Sequence, residues 1–297
     1  MDSGRMGENS IRLFSFDQER SLVEVNPTKA VTTNRQKFAV LKGGRRVWAV
    51  GSVHGEATRL MALHDILADK LQPGDQLVYL GNLIGRGSQV SETLDEAISF
   101  RRLFLSRPGA LVCDLAYLRG SQEEMWQKML QLQFATDPRS VLAWMLQQGV
   151  GATIEAYAST RAEAERAASG GVISITRWSG QLRQQMQKHP GHYQFFAALR
   201  RAAFTDDGAL LFVHAGIAPE RPLDAQKDTF WWGGQGFQRI SEPYGNYRRV
   251  VRGFAADHPG LLLEDHRATL DAGCGFGGPL IAACLDSEGA LQDSIDV

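Results

Sequence analysis

The stretch Arg46-Val-Trp-Ala-Val-Gly-Ser-Val-His-Gly55 decides the reading of this chain. Strand-forming residues run into Gly51, which stops a strand and opens a short polar loop. Past that loop, residues 56–71 place Leu60, Met61, Leu63, Ile66 and Leu67 at the spacing of one helix face. Pro73-Gly74 closes the unit, and Gln76-Leu-Val-Tyr-Leu80 repeats the theme as a second strand stopped by Gly81. A second helix is expected over 90–105 and a third strand over 110–113. The order β-α-β-α-β predicts an α/β fold with a mainly parallel sheet that displays polar loops at the carboxyl ends of its strands.

Upstream, residues 1–38 are rich in Asn, Arg, Ser and Thr, with one brief apolar patch from Ile11 to Phe16, and read as a flexible arm. Downstream, 126–205 reads as a helical insert. Within it, 155–182 is expected to be more mobile than the strands because Ala, Glu, Ser and Gly dominate there, and Tyr157, Trp178 and the turn Ser169-Gly170-Gly171 are candidates for meeting a partner. Strands return over 209–213, 250–253, 268–271 and 279–285, and 289–297 reads as a tail. The main domain is therefore expected over 39–288.

The 297 residues are 43% hydrophobic, 9% aromatic and 22% charged, which excludes a mainly disordered, collagenous or coiled-coil chain. A net charge of −1 provides no global basic field, so no nucleic-acid partner is expected. Cys113, Cys274 and Cys284 are too few and scattered for a disulfide framework and read as reduced thiols. The opening MDSGRMGENS lacks the apolar core of a signal peptide, and no apolar run is long enough to span a membrane. The expectation is a cytoplasmic protein without a membrane partner; its oligomeric state is not legible.

Five loops carry the functional reading. They are Gly51-Ser-Val-His-Gly55, Gly81-Asn-Leu-Ile-Gly-Arg-Gly87, Arg119-Gly-Ser-Gln-Glu123, His214-Ala-Gly216 and Arg252-Gly-Phe254. In order and spacing they resemble the loops of the calcineurin-like metallophosphoesterases, nearest to the bacterial serine/threonine protein phosphatases and the symmetrical diadenosine tetraphosphatases. Trp144-Met-Leu-Gln-Gln-Gly149, Thr153-Ile-Glu-Ala-Tyr157 and Leu270-Asp-Ala-Gly273 resemble secondary signatures of the same family, and the likeness covers roughly 45–288. The resemblance implies an α/β sandwich of two mixed sheets flanked by helices, with an inserted helical cap. It also implies a two-metal hydrolytic centre, in which the ions stabilise attacking and leaving oxygens.

The residues at the implied metal and acid positions depart from the family pattern. Ser52 and Asn82 stand where the family has carboxylates, Ser121 where it has a ligand asparagine, and Phe254 where it has the last ligand histidine. Gln122 occupies the place of the catalytic histidine and Gly85 that of its supporting aspartate. Glutamine is no acid near neutral pH, so no proton donor for a leaving group is legible. His54 and His214 keep the family residue as remnants of the metal set; Asp114, Glu123 and Asp257 are nearby in sequence as compensating ligands.

Phosphate recognition reads as better retained. Arg86 stands in the family's phosphate-clamping Arg-Gly slot and Arg119 flanks the third loop, both able to offer bidentate contacts without a metal. Phe230, Trp231, Trp232 and Phe237 form an aromatic cluster readable as a packed corner or a contact surface. The sequence thus reads as a pseudophosphatase that binds a partner protein, a phosphorylated segment or a nucleotide, with no cofactor expected. Two alternatives remain: an active phosphoesterase with a rearranged Mn, Fe or Zn site, and a structural subunit with a vestigial cleft.

Overall fold

The computed structural model describes residues 37–297. The arm expected over 1–38 lies outside the described residues except for its last two positions. Of these, Phe38 is already the first residue of β1 (Phe38–Leu41), a strand that the sequence reading missed.

The first half follows the expected alternation: β2 (Val47–Val50), α1 (Ala57–Lys70), β3 (Gln76–Tyr79), α2 (Val90–Leu105), β4 (Leu115–Tyr117) and α3 (Ser121–Met129). The third strand starts later than expected. After Pro108-Gly109 the Asp114 carboxylate accepts the Leu111 N–H at 2.9 Å, and Val112–Asp114 winds into a 3-10 turn before the chain extends. The helices α4 (Pro138–Gln147), α5 (Gly151–Ala156), α6 (Arg161–Ser169), α7 (Gly171–Lys188) and α8 (His192–Ala198) make up the insert.

The strand-rich half holds β5 (Ala202–Thr205), β6 (Leu210–Val213), the short α9 (Thr229–Trp232), β7 (Arg249–Arg252), β8 (Gly260–Leu263), β9 (Arg267–Asp271), β10 (Ile281–Leu285) and β11 (Leu291–Asp296). Three corrections follow. β5 lies inside the segment assigned to the helical insert. β8 falls where no strand was expected, and β11 replaces the tail expected over 289–297. Each is short, and β11 is mostly exposed and polar, so it lacks the apolar run that marks a central strand.

Two mixed sheets result, as the resemblance implies, with orders β1-β5-β6-β7-β9-β8 and β11-β10-β2-β3-β4. Strand alternation sorts the side chains. Val47, Ala49, Val78, Leu80, Phe212, Val251 and Leu270 fill the layer between the sheets. Trp48, Val50, Leu77 and Tyr79 point the other way, into a core shared with α1, α2 and the insert. The outer face of the six-stranded sheet is covered by Phe230, Trp231 and Phe237, so three of the four aromatic residues form a packed corner.

The insert is better packed than its composition suggests. Tyr157 and Ile175 are fully buried and Trp178 is 6% exposed, so neither candidate partner residue forms an open face. The Tyr157 ring lies 5.1 Å from that of Trp126, and Trp178 Nε1 donates to Ser159 Oγ at 2.9 Å. Few apolar residues are present between 155 and 182, but helical spacing puts Tyr157, Ile175, Trp178 and Leu182 on the inner face and leaves Val172 and Ile173 exposed.

Two consecutive carboxylates of α2 tie this insert to the body. Asp95 Oδ1 lies 3.1 Å from Nε2 of His192 in α8, whose Nδ1 is 2.9 Å from the Tyr157 hydroxyl. Glu96 Oε1 lies 2.5 Å from Nδ1 of His64 in α1, whose Nε2 is 2.6 Å from the Tyr79 hydroxyl of β3. Burial holds both imidazoles below their ordinary range despite these carboxylates. No helix among the described residues is long and apolar enough to cross a membrane. Cys113 is exposed, Cys274 and Cys284 are buried, and all three are free thiols.

Candidate functional site: a loop cluster at the strand ends

The loops that follow β2, β3, β4, β6 and β7 are knitted together by their backbones. His54 N–H and Gly55 N–H donate to the carbonyls of Asn82 and Leu83 at 2.6 and 2.8 Å. Ser52 N–H donates to Gly253 O at 3.2 Å, and Gly253 N–H to His214 O at 2.9 Å. Glu123 then closes the cluster. Its buried carboxylate accepts the N–H groups of Gly120 (2.7 Å) and Asn82 (2.9 Å) on one oxygen and those of Leu83 (2.7 Å) and Ile84 (3.2 Å) on the other. Burial pushes this carboxyl above its ordinary value, and the backbone donors Ile84, Gly120 and Asn82 oppose that shift. Glu123 is therefore engaged throughout and is not presented to a cation.

The side chains at the altered positions are engaged in the same way. Ser52 Oγ donates to Gly253 O at 2.9 Å. Asn82 Oδ1 accepts from Gln122 N–H (2.9 Å) and Ser121 Oγ (3.1 Å), and so caps the start of α3. Its amide Nδ2 is 3.3 Å from His54 Nε2. An amide oxygen with both lone pairs occupied has none left to bridge two cations.

Phe254 touches both imidazoles, stacking on His214 with centroids 5.5 Å apart and meeting His54 edge-on at 6.1 Å. The Phe276 ring packs on the other side of His54 at 5.4 Å. His54 is held well below its ordinary pKa by burial, reinforced by the charge of Arg86 and by His214 and His258. His214 is lowered to about 4 by burial, although its bond to Leu80 O opposes the shift. With Asn82 Nδ2 donating to Nε2 of His54, the ring proton of that neutral imidazole sits on Nδ1.

The donor set does not suit the two-metal centre that the resemblance implies, which needs anionic oxygens. Among the described residues no group of three or more His, Cys, Asp or Glu side chains is placed to hold a metal ion. The compensating carboxylates suggested by sequence are not brought in. Asp114 bonds Gln76 and Arg45, Glu123 is consumed by backbone, and Asp257 does not line the cavity described next.

That cavity, of about 210 Å³, opens among the loops and is lined by His54, Arg86, Gln122, Phe254, Phe276 and the indoles of Trp231 and Trp232. Arg86 has a left-handed backbone (φ 52°), and its N–H donates to Gly149 O in the α4–α5 turn at 3.0 Å. Its guanidinium lies 4.0 Å above the Phe276 ring, a cation–π contact. Its Nε–H is buried without a hydrogen-bond partner, and burial lowers its pKa. Among the described residues no carboxylate forms an ion pair with it. Gln122 Nε2 donates to Gln148 O at 2.8 Å, which leaves Gln122 Oε1 buried and unpartnered. A Cβ at Gly85 (φ 90°) would overlap that same amide, so the glutamine as placed leaves no room for a larger residue at 85.

The structure does not bring Arg119 to this cavity. Arg119 Nη1 pairs with Glu124 at 3.2 Å and lines a different cavity, on the far side of α3. Phe276 was missed by the sequence reading, as was His258, whose Nδ1 lies 2.9 Å from Asp271 and whose ring packs 4.2 Å from Phe276. The only signal was the run Gly273-Cys-Gly-Phe-Gly-Gly278, in which one aromatic residue stands among glycines.

No family model and no curated protein matches the sequence. Solved structures similar to this chain include a candidate diadenosine tetraphosphatase, 19% identical over 88% of this chain and 98% of that one, with a TM-score of 0.47. A protein serine/threonine phosphatase from Saccharomyces cerevisiae is 14% identical over 86% and 80% of the two chains, with a TM-score of 0.46. A metallophosphoesterase from Sphaerobacter thermophilus is 13% identical over 85% and 88%, with a TM-score of 0.40.

Proposed function

We propose that this chain is a pseudophosphatase: a phosphoesterase-like scaffold whose loop cluster binds a phosphoryl group without hydrolysing it. One observation carries the reading. Arg86 brings a buried, unpartnered Nε–H and an uncompensated positive charge to a cavity whose other lining side chains are uncharged. Guanidinium geometry suits a phosphoryl group, and a cation in such a setting favours an anion. A volume of about 210 Å³ falls short of the ~300–1,000 Å³ usual for drug-sized ligands and favours a phosphorylated side chain over a whole dinucleotide. Loss of hydrolysis follows from Ser52, Asn82, Gln122 and Phe254 together, which supply neither the anionic donors nor the acid that the reaction needs.

The test is calorimetry with inorganic phosphate and a phosphopeptide, paired with turnover of p-nitrophenyl phosphate in added Mn. Binding in the micromolar to millimolar range, weakened about tenfold or more by Arg86→Ala, and no turnover are expected. Equal binding by wild type and variant, or none, sinks the anion site and leaves a structural subunit. Mn-dependent turnover abolished by His54→Ala overturns the reading in favour of a working enzyme.

A further inference from the structure

The cavity that Arg119 lines has an apolar interior and a cationic edge. It measures about 340 Å³ and lies between α3, the end of α7 and α8. Trp126, Met186 and Leu199, all buried, form its floor; Leu130 and Phe196 are half-buried walls, and Tyr193 at the rim is 56% exposed. That size and lining are typical of small-molecule pockets, which combine apolar walls with a few polar groups.

Two independent features bear on the chemistry of what it takes. The Glu124 carboxylate is divided between Arg119 at 3.2 Å and Lys128 at 3.8 Å, and Arg201 is close enough to feel the charges of both Arg119 and Glu124. Asp228, near Arg201, supplies a second negative charge, and the Glu123 carboxylate at the cavity border a third, so the charges balance locally and Arg119 is the cationic side chain that lines the cavity. Glu123 also borders the cavity, but its oxygens are occupied by four backbone N–H groups. Separately, Trp126 is 1% exposed and its Nε1–H is buried without an acceptor. A buried donor without a partner calls for an explanation, and a bound acceptor supplies one.

From this we infer that the pocket is a second ligand site, distinct from the Arg86 cavity, for a small carboxylate on an apolar body. The hydrocarbon or aryl part fills the space over Trp126, Met186 and Phe196, and the carboxylate meets Arg119. Of the guanidinium's five donors, Nη1 alone is directed to Glu124, so the fork keeps donors for an incoming anion.

The test compares 4-phenylbutyrate with 4-phenylbutanol, which share a body and differ in charge, by calorimetry on the full chain. The carboxylate is expected to bind about tenfold or more tightly than the alcohol, and Arg119→Gln is expected to remove that preference. Trp126→Phe keeps the wall, removes the donor and is expected to weaken the carboxylate several-fold. Because the alcohol comparison needs no variant, it stands even where a substitution harms folding. Saturating inorganic phosphate is expected to leave 4-phenylbutyrate affinity unchanged. Equal affinity for acid and alcohol, no binding of either, or displacement by phosphate overturns the assignment.

Discussion

Glu123→Gln is nearly isosteric, yet it is expected to be among the most costly single changes in the molecule. Each oxygen of the native carboxylate receives two backbone N–H groups, from Gly120 and Asn82 on one side and from Leu83 and Ile84 on the other. A glutamine keeps one oxygen and replaces the other with an amide NH₂, which turns donors against donors. Two buried N–H groups are then stranded, at about 1–3 kcal/mol each, so roughly 2–6 kcal/mol of stability is expected to be lost. For a domain of this size a loss near the middle of that range lowers Tm by about 8–16 °C. Urea unfolding monitored by far-UV dichroism, with the slope checked for constancy, measures the loss directly. A variant within about 1 kcal/mol of wild type would refute the view that one side chain neutralises the loop donors.

Three further outcomes are expected. Gly85→Ala combines a left-handed backbone (φ 90°) with overlap on Gln122, and a loss of about 2–4 kcal/mol is expected; at least ~1 kcal/mol should return when Gln122→Ala is added, and strict additivity in unfolding experiments argues against the contact. Stability should fall on acidification. His214 ionises near 4 in the folded protein and near 6.5 when unfolded, so below about pH 6.5 the unfolded chain binds the proton first, and on the order of 3 kcal/mol is lost by pH 4, with His64 and His192 shifting the same way; a flat profile in urea midpoints between those pH values counts against it. Tyr157→Ala should cost about 3–5 kcal/mol whereas Ile173→Ala, at 78% exposure, should stay within about 0.5 kcal/mol, and similar values for both would contradict the packing described for the insert.

The loops were legible because glycine punctuates them. Gly51, Gly55, Gly81 and Gly87 mark where strands must stop and backbones approach closely, and the structure uses Gly55 and Gly87 as near neighbours. The fold class follows from the same alternation. Side-chain direction is not written locally, which is why Arg86 and Arg119 read as partners while α3 separates them. The composition of 155–182 does not show which apolar residues are buried: Tyr157, Ile175 and Trp178 are few, but three-dimensional spacing concentrates them. Of the short strands, β5 takes one partner, β1, from far away in sequence, and β8 is a four-residue edge strand paired with β9 alone, so both left little trace.

The paired carboxylates of α2 have a mechanical consequence. Asp95 grips the insert through His192, and Glu96 grips the body through His64, from adjacent positions on one rigid rod. The rod begins at Val90, four residues beyond Arg86, and Arg86 is itself fastened to the insert at Gly149. Force applied to the insert therefore has two short load paths to the guanidinium, one through the helix and one through the Gly149 carbonyl. Pulling on the outer helices would load the Arg86 cavity directly, through contacts that bypass both sheets.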